Sequence, residues 1–304
     1  MQIDLEQIKR VLIIQIRPFG DVLLNTGYLP FLRKKLPYAR IDFLVKYPFD
    51  SILAGNPNID EVVVFGKTKP YGHWLDKIQM ILNVRRRRYD LIVDQIQGTT
   101  SAQIILFSGA KYKIAAEHTR WRRLYNIRAP QKGRYSASMK FDLLRPLGIE
   151  EAPYQLFYDI QPQSIAYIRN WIKKENPYNK KLICISPGSP RIKKKWGAAH
   201  YAALSDLILE NTDYHVVLLW GPNEVGDFEK VIAAMKCRPL TAPSTNYNQA
   251  AALLKESELL VCNDGGLNHL SVTTGTCSLA IFGGTSPKFW SPQGVFPNHY
   301  HMVN

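Results

Sequence analysis

Twice along this chain, short apolar runs of the kind that become buried parallel strands alternate with segments of helical period, and the series breaks once and restarts. The first series predicts strands at 10–16, 40–45, 61–65, 90–94 and 112–115, with helices at 21–36, 73–87, 99–108 and 136–147. The break falls at 149–163, IEEAPYQLFYDIQPQ, where three acids, two prolines and no helical rhythm read as a linker. The second series predicts strands at 182–186, 214–220, 258–262 and 277–282 and helices at 163–175, 198–210, 224–235, 247–255 and 266–273. Alternation of this kind builds a parallel sheet with helices on both faces. The expected fold is therefore α/β, with two doubly wound, Rossmann-like domains at 1–160 and 161–304 facing each other across a ligand-binding cleft. Length agrees, since 304 residues exceed the ~250 at which a single core stops growing.

Composition narrows the class. Hydrophobic content of 46% with 21% charged residues is that of an ordinary folded protein and excludes a disordered one. MQIDLEQIKR lacks a signal-peptide layout, and no apolar run approaches the ~18 residues of a membrane span, so cytoplasmic residence is expected. Cys184, Cys237, Cys262 and Cys277 are too scattered for a disulfide framework or a zinc site and read as core thiols. The net charge of +14 is uneven: residues 1–160 hold 25 basic against 15 acidic residues, and 161–304 hold 14 against 10. Within the first half, residues 111–134 carry eight basic residues and one acid, and Arg85 to Arg88 form a second cluster. The first suits an acidic glycan, a polyanion or a membrane surface, while the second reads as a solvated helix end. Trp121 and Tyr125 in the first patch would also suit RNA, but no nucleic-acid-binding motif accompanies them, and no nucleic-acid partner is expected.

Three strand exits in the second half carry ligand-binding chemistry. NDGGLNHLSVTTG (263–275) follows a strand and enters a helix, so Gly265, Gly266 and Leu267 offer backbone N–H groups to a phosphate, with Asp264 and His269 alongside. His269 alone reads equally well as a structural histidine. SPGSPRIKKKW (186–196) supplies the Ser189 hydroxyl and Lys193, Lys194 and Lys195 before Trp196. WGPNEVGDF (220–228) places Glu224 in a first helical turn, to accept ribose hydroxyls or merely to complement the helix dipole. Together the three loops fit a nucleotide diphosphate. The chain has neither a G-x-x-x-x-G-K-[ST] nor a G-x-G-x-x-G motif, which sets ATPase and ordinary dinucleotide readings aside. Nor does an Asp-x-Asp pair mark a divalent ion, so no metal and no cofactor is expected. In the first half, Arg17-Pro18-Phe19-Gly20-Asp21 links a strand to a helix. Asp21 is there either a helix-start acid or, at the carboxyl end of a strand, a functional carboxylate.

In this order the motifs resemble glycosyltransferase family 9, the bacterial heptosyltransferases that build the inner core of lipopolysaccharide. The matching residues are Gly20-Asp21-Val22-Leu23, Pro187-Gly188-Ser189 with Lys194 ahead of Trp196, the Gly221 to Glu224 loop, Asp264 through Gly266-Leu267 to His269, and Gly284-Thr285-Ser286-Pro287. The resemblance implies a GT-B fold, a donor site mainly in the second domain, metal-independent transfer with inversion from ADP-heptose, and a base at the Asp21 position. Asp21 and Lys194 are then the catalytic candidates. Ser189, Glu224, Asp264, Gly265, Gly266, Leu267 and His269 fall to the donor, and Arg17, Lys113, Arg120 and Arg123 to an acidic lipid-linked glycan acceptor, with peripheral contact at the inner membrane. Two features depart from the family pattern. The family usually continues past the Ser286-Pro287 match into a tail that packs back across the domains, so the sequence is expected to be short at its end. In addition, Gly265 replaces the commoner threonine and removes a hydroxyl near the donor. The alternatives are the same fold with another nucleotide sugar or a glycan or protein acceptor, and a non-catalytic nucleotide-sugar-binding homologue. Asp21 argues against the last, which needs no carboxylate opposite its donor.

Overall fold

The apolar runs form two six-stranded parallel sheets with one strand order. The computed structural model describes residues 3–66, 74–221 and 223–304, and the chain divides into two compact units, Met1–Asp159 and Ile160–Asn304. In the N-terminal unit the strands are β1 (Arg10–Ile14), β2 (Arg40–Lys46), β3 (Glu61–Phe65), β4 (Leu91–Asp94), β5 (Tyr112–Ala116) and β6 (Ile127–Ala129), ordered β3-β2-β1-β4-β5-β6. In the C-terminal unit β7 (Leu182–Ser186), β8 (His215–Leu218), β9 (Leu240–Thr241), β10 (Leu259–Asn263), β11 (Cys277–Phe282) and β12 (His299–Val303) follow β9-β8-β7-β10-β11-β12. Each unit thus repeats the 3-2-1-4-5-6 order of a doubly wound sheet, with a switch in direction between its first and fourth strands. The crevice beyond the carboxyl ends of those two strands is where such folds bind ligands. Val11 to Ile14 and Leu91 to Asp94 are buried, as expected of central strands covered on both faces.

The expected helix over 21–36 is divided. The chain instead forms α1 (Phe19–Leu24), a 3₁₀ turn at Thr26–Tyr28 and α2 (Leu29–Lys35). The cause is Asn25, which is fully buried: its amide donates to the Asp21 carbonyl at 2.6 Å and its Oδ1 accepts the Tyr28 hydroxyl at 2.8 Å. Pro30, with no N–H to return to the previous turn, starts α2 afresh. Helix α3 (Trp74–Arg87) covers the predicted 73–87 except His73, which lies outside the described residues, as does Pro222 of the 220–228 loop. Helix α4 (Thr99–Ser108) coincides with its prediction, and α5 (Ser136–Asp142) stops short of 147, giving way to a 3₁₀ turn at Arg145–Leu147.

In the C-terminal unit, α6 (Pro162–Glu175), α7 (Ala198–Asn211), α8 (Val225–Ala234), α9 (Tyr247–Lys255) and α10 (Gly266–Thr274) alternate with the strands, and α11 (Pro287–Trp290) is a short addition. The 149–163 segment is not a loose linker. Tyr154 packs onto Gly27, where a β-carbon would lie 2.5 Å from its ring, and the Phe157 N–H donates to the Thr26 hydroxyl at 2.9 Å. Among the described residues no helix is long and apolar enough to cross a membrane.

Candidate active site

In the N-terminal unit, β1 runs out at Ile14 and the chain turns through Arg17 and Pro18 into α1. Pro18 occupies the N-cap position without a side-chain cap, and Asp21 sits in the first turn with its N–H donated to the Pro18 carbonyl at 3.1 Å. The Asp21 carboxylate turns to Lys140 on α5, whose Nζ lies 3.4 Å away. The lysine side chain is 6% exposed and the carboxylate 16%. Burial pushes the Lys140 ammonium below the ordinary lysine range; Asp21 opposes that shift and the nearby Arg17 charge adds to it. Gln95, just past β4, donates to the Lys140 carbonyl at 3.2 Å, so both strands bordering the crevice help place this pair. Lys140 was not anticipated. Its sequence signal is a lysine on the otherwise apolar stripe of Ala137, Phe141 and Leu144.

Asp94, which closes β4, is buried and accepts the N–H groups of Ile96 and Gln97 at 3.0 and 2.9 Å and the Tyr125 hydroxyl at 2.6 Å. Burial raises its pKa, and its bonds shape the β4 exit. The 111–134 basic stretch is split between the two ends of β5. Lys111 precedes β5 and donates to Gln7 at 2.6 Å, and Lys113 is the strand's second residue. Arg120, Arg122 and Arg123 lie beyond its carboxyl end. There Arg120 stacks 4.7 Å from the Trp121 ring, and Arg122 lines a depression of about 400 Å³ with Glu117, His118, Pro130 and Gln131.

In the C-terminal unit, four strand exits converge. Asn263, at the end of β10, donates to the Pro187 carbonyl at 2.8 Å and accepts the Trp196 N–H at 2.9 Å, tying both ends of the lysine-bearing loop to the β10 exit. Ser189 is buried, its hydroxyl taking the Arg191 N–H at 3.3 Å. Lys194 closes a 3₁₀ turn and reaches Asp264 at 2.5 Å. The Thr285 hydroxyl, from the β11 exit, donates to the same carboxylate oxygen. That exit comes close because Gly283 lies against Lys193, whose carbonyl oxygen would be 2.6 Å from a β-carbon there. Lys195 pairs with Asp227 at 2.6 Å.

Glu224, the N-cap residue of α8, accepts the Gly221 N–H at 3.0 Å and rests on Gly188, where a β-carbon would fall 2.3 Å from its carboxyl carbon. Burial pulls its pKa up, the Gly221 bond and Lys195 oppose this, and Asp227 adds to it. Gly265 precedes α10 with an extended backbone, and a β-carbon there would meet nothing closer than the Asn263 carbonyl at 3.7 Å, so the protein itself does not require glycine. Gly266 and Leu267 open α10, and His269 is buried within it, 6.4 Å from the Trp290 ring. Asp264 is only 3% exposed; its observed contacts hold Lys194 and Thr285. Asn263 opens the 263–275 motif and Thr285 lies in the Gly284-Thr285-Ser286-Pro287 match, but the bonds they make to the 187–196 loop and to Asp264 form only through space.

Comparison with known proteins agrees with this architecture. The profile of glycosyltransferase family 9 (heptosyltransferase) matches residues 78–300. Lipopolysaccharide heptosyltransferase 3 of Escherichia coli is 26% identical over 288 residues, covering 91% of this chain and 84% of its own. The crystal structure of a family 9 glycosyltransferase from Veillonella parvula superposes with a TM-score of 0.87 at 22% identity, covering 100% of this chain and 88% of that one. An E. coli heptosyltransferase solved with ADP-2-deoxy-2-fluoro heptose gives 0.71 at 19% identity, over 97% and 92%. The two doubly wound units thus form a GT-B fold, and the protein is a glycosyltransferase belonging to family 9, the heptosyltransferases.

Proposed function

We propose that the protein transfers a heptose from ADP-heptose to an acidic, lipid-linked inner-core acceptor of lipopolysaccharide, at the cytoplasmic face of the inner membrane. Transfer is a single inverting displacement that needs no metal ion. The observation that carries the donor half is Lys194, held by Asp264 and Thr285 beside the start of α10. As the bond to the leaving diphosphate stretches, negative charge grows on its oxygens. A fixed ammonium and the N–H groups of Gly266 and Leu267 stabilise that charge more than the ground state, which lowers the barrier. Glu224 takes ribose hydroxyls, and Ser189 adds a donor from the β7 exit. The E. coli enzyme solved with a fluorinated ADP-heptose supports the choice of sugar nucleotide.

The acceptor half rests on Asp21. A carboxylate with one oxygen near Lys140 keeps the other for an acceptor hydroxyl, whose proton it takes as that oxygen attacks the anomeric carbon. Arg17, Arg120 and Arg123 attract the acidic acceptor, with Lys113, at the amino end of β5, adding charge from a distance. The deciding experiment offers a panel of sugar nucleotides with delipidated inner-core acceptor and detects product by mass. ADP-heptose is expected to give a product one heptose heavier, with and without a chelator. Transfer of another sugar would replace the donor assignment, and a requirement for magnesium would overturn the metal-free step.

A further inference from the structure

Helix α3 presents an apolar face to solvent. Trp74, Leu75, Ile78 and Leu82 are exposed, Trp74 at 62% and Ile78 and Leu82 at 43% and 47%. Helical spacing puts them on one side with Gln79, Arg85 and Arg86, while Met80, Ile81 and Val84 pack into the core from the other. That outward face holds two arginines and no acid. It continues onto the end of α4, where Leu106 and Phe107 are also exposed. Arg85 bridges the two helices: its Nη1 donates to the Phe107 carbonyl at 3.2 Å and lies over Gly109. The 85–88 cluster is therefore more than a solvated helix end. Arg87 turns back to pair with Glu61 and Asp42, while Arg86 and Arg88 remain exposed.

Scattered apolar residues are ordinary on a surface, but a contiguous stripe marks a contact. We propose that this face of α3, with the end of α4, seats the protein on an anionic lipid bilayer. A helix that lies in a membrane interface buries aromatic and aliphatic side chains while flanking arginines meet the headgroups, and that is the layout here. Charge selects the occupant. An isologous pairing of two copies would bring Arg85 and Arg86 toward their own symmetry mates, and the N-terminal excess of basic residues favours an anionic surface in the same way. The proposal gives a physical reason for the enzyme to meet a lipid-linked acceptor, so it rests on that reading of the substrate, but its test does not.

The protein is sedimented with vesicles of phosphatidylcholine alone and of phosphatidylcholine mixed with phosphatidylglycerol. Wild type is expected to partition onto the anionic vesicles and to be released by salt. Ile78→Asp with Leu82→Asp should weaken partitioning by about tenfold or more, and Arg86→Gln by about fivefold. Both variants should keep wild-type turnover on delipidated acceptor, which shows that they are folded. Equal partitioning of wild type and the double variant overturns the proposal. So does a wild-type dimer, seen by sedimentation equilibrium, that the aspartates split, since the face would then belong to a second copy. Vesicle binding through this face without transfer to inner-core acceptor defeats the functional reading alone; transfer with face-independent partitioning defeats the docking alone.

Discussion

In both units a lysine–carboxylate pair stands at the crevice between the first and fourth strands, but the roles are exchanged. After β1 the exit loop supplies the carboxylate, Asp21, and the lysine arrives from α5. After β7 the loop supplies the lysine, Lys194, and the carboxylate arrives from the β10 exit. In each pair the later-arriving partner is the more buried: Lys140 at 6% against 16% for Asp21, and Asp264 at 3% against 17% for Lys194. A buried charge anchors its less buried partner, so the more accessible group of the pair is negative in one unit and positive in the other. The pairs also differ in tightness. Lys194 and Asp264 are 2.5 Å apart and cross-tied by Thr285, whereas Lys140 and Asp21 stand at 3.4 Å.

The hardest test of that contrast is Asp21→Asn. It keeps size and removes the basic charge, so turnover should fall by about 10²-fold or more while calorimetry finds ADP affinity unchanged. Near-normal turnover per folded molecule would reduce Asp21 to a helix-start acid and dissolve the comparison.

Removing the two lysines separates anchor from exposed partner. Lys194→Ala should cut turnover by about 10- to 100-fold, more than it weakens ADP binding, and cost about 1–3 kcal/mol in denaturant unfolding by leaving Asp264 buried without its cation. Lys140→Met replaces a buried charge by an apolar chain of similar length and leaves the Asp21 carboxylate, only 16% exposed, without its cation. Removing the buried ammonium also relieves its own desolvation and offsets part of that loss, so the stability cost should be about 1–2 kcal/mol, while turnover falls by about tenfold because Asp21 is no longer held.

Acid should reach the C-terminal unit through His299. Burial lowers its pKa to about 4, and its Nδ1 lies 2.8 Å from the Ser278 hydroxyl. Between pH 6.5 and about 4 the unfolded chain binds a proton that the folded one refuses, so stability falls as pH falls through that window and is flat above it. Unfolding series at several pH values should show a loss of about 2 kcal/mol that His299→Gln does not show.

The smallest effect concerns the divided basic stretch. Neutralising Arg120 and Arg123, beyond the carboxyl end of β5, should raise the acceptor KM by about two- to tenfold in a salt-dependent way and leave ADP affinity unchanged. Neutralising Lys111 and Lys113, at the start of the strand, should change it less. Equal effects would mean that the charge acts as a diffuse field.

The alternation of strands and helices was legible because strands covered on both faces must be apolar throughout, and 182–186 and 277–282 match their predicted limits. The missed strands are edge or near-edge strands with little to mark them. Ile127–Ala129 is interrupted by the exposed Arg128, Leu240–Thr241 is two residues long, and His299–Val303 carries two histidines. The break at Asn25 was hidden because it depends on a side chain bonding its own backbone. The strand exits that carry Asp21, Lys194 and Asp264 were readable, since motif position alone places them. Lys140, and the contact of Thr285 with Asp264 as distinct from its place in the 284–287 match, were not, because these contacts join residues 119 and 21 positions away in the chain.

Gly188 and Glu224 form one steric unit. The carboxyl group occupies the volume that any side chain at 188 would need, since a β-carbon would come within 2.3 Å of it. Alanine at 188 is compatible only with a shorter or redirected residue at 224. A side chain added at 188 alone therefore has to displace the Glu224 carboxyl group, and with it the bond to the Gly221 N–H, whereas a shorter residue at 224 can be introduced with Gly188 left in place.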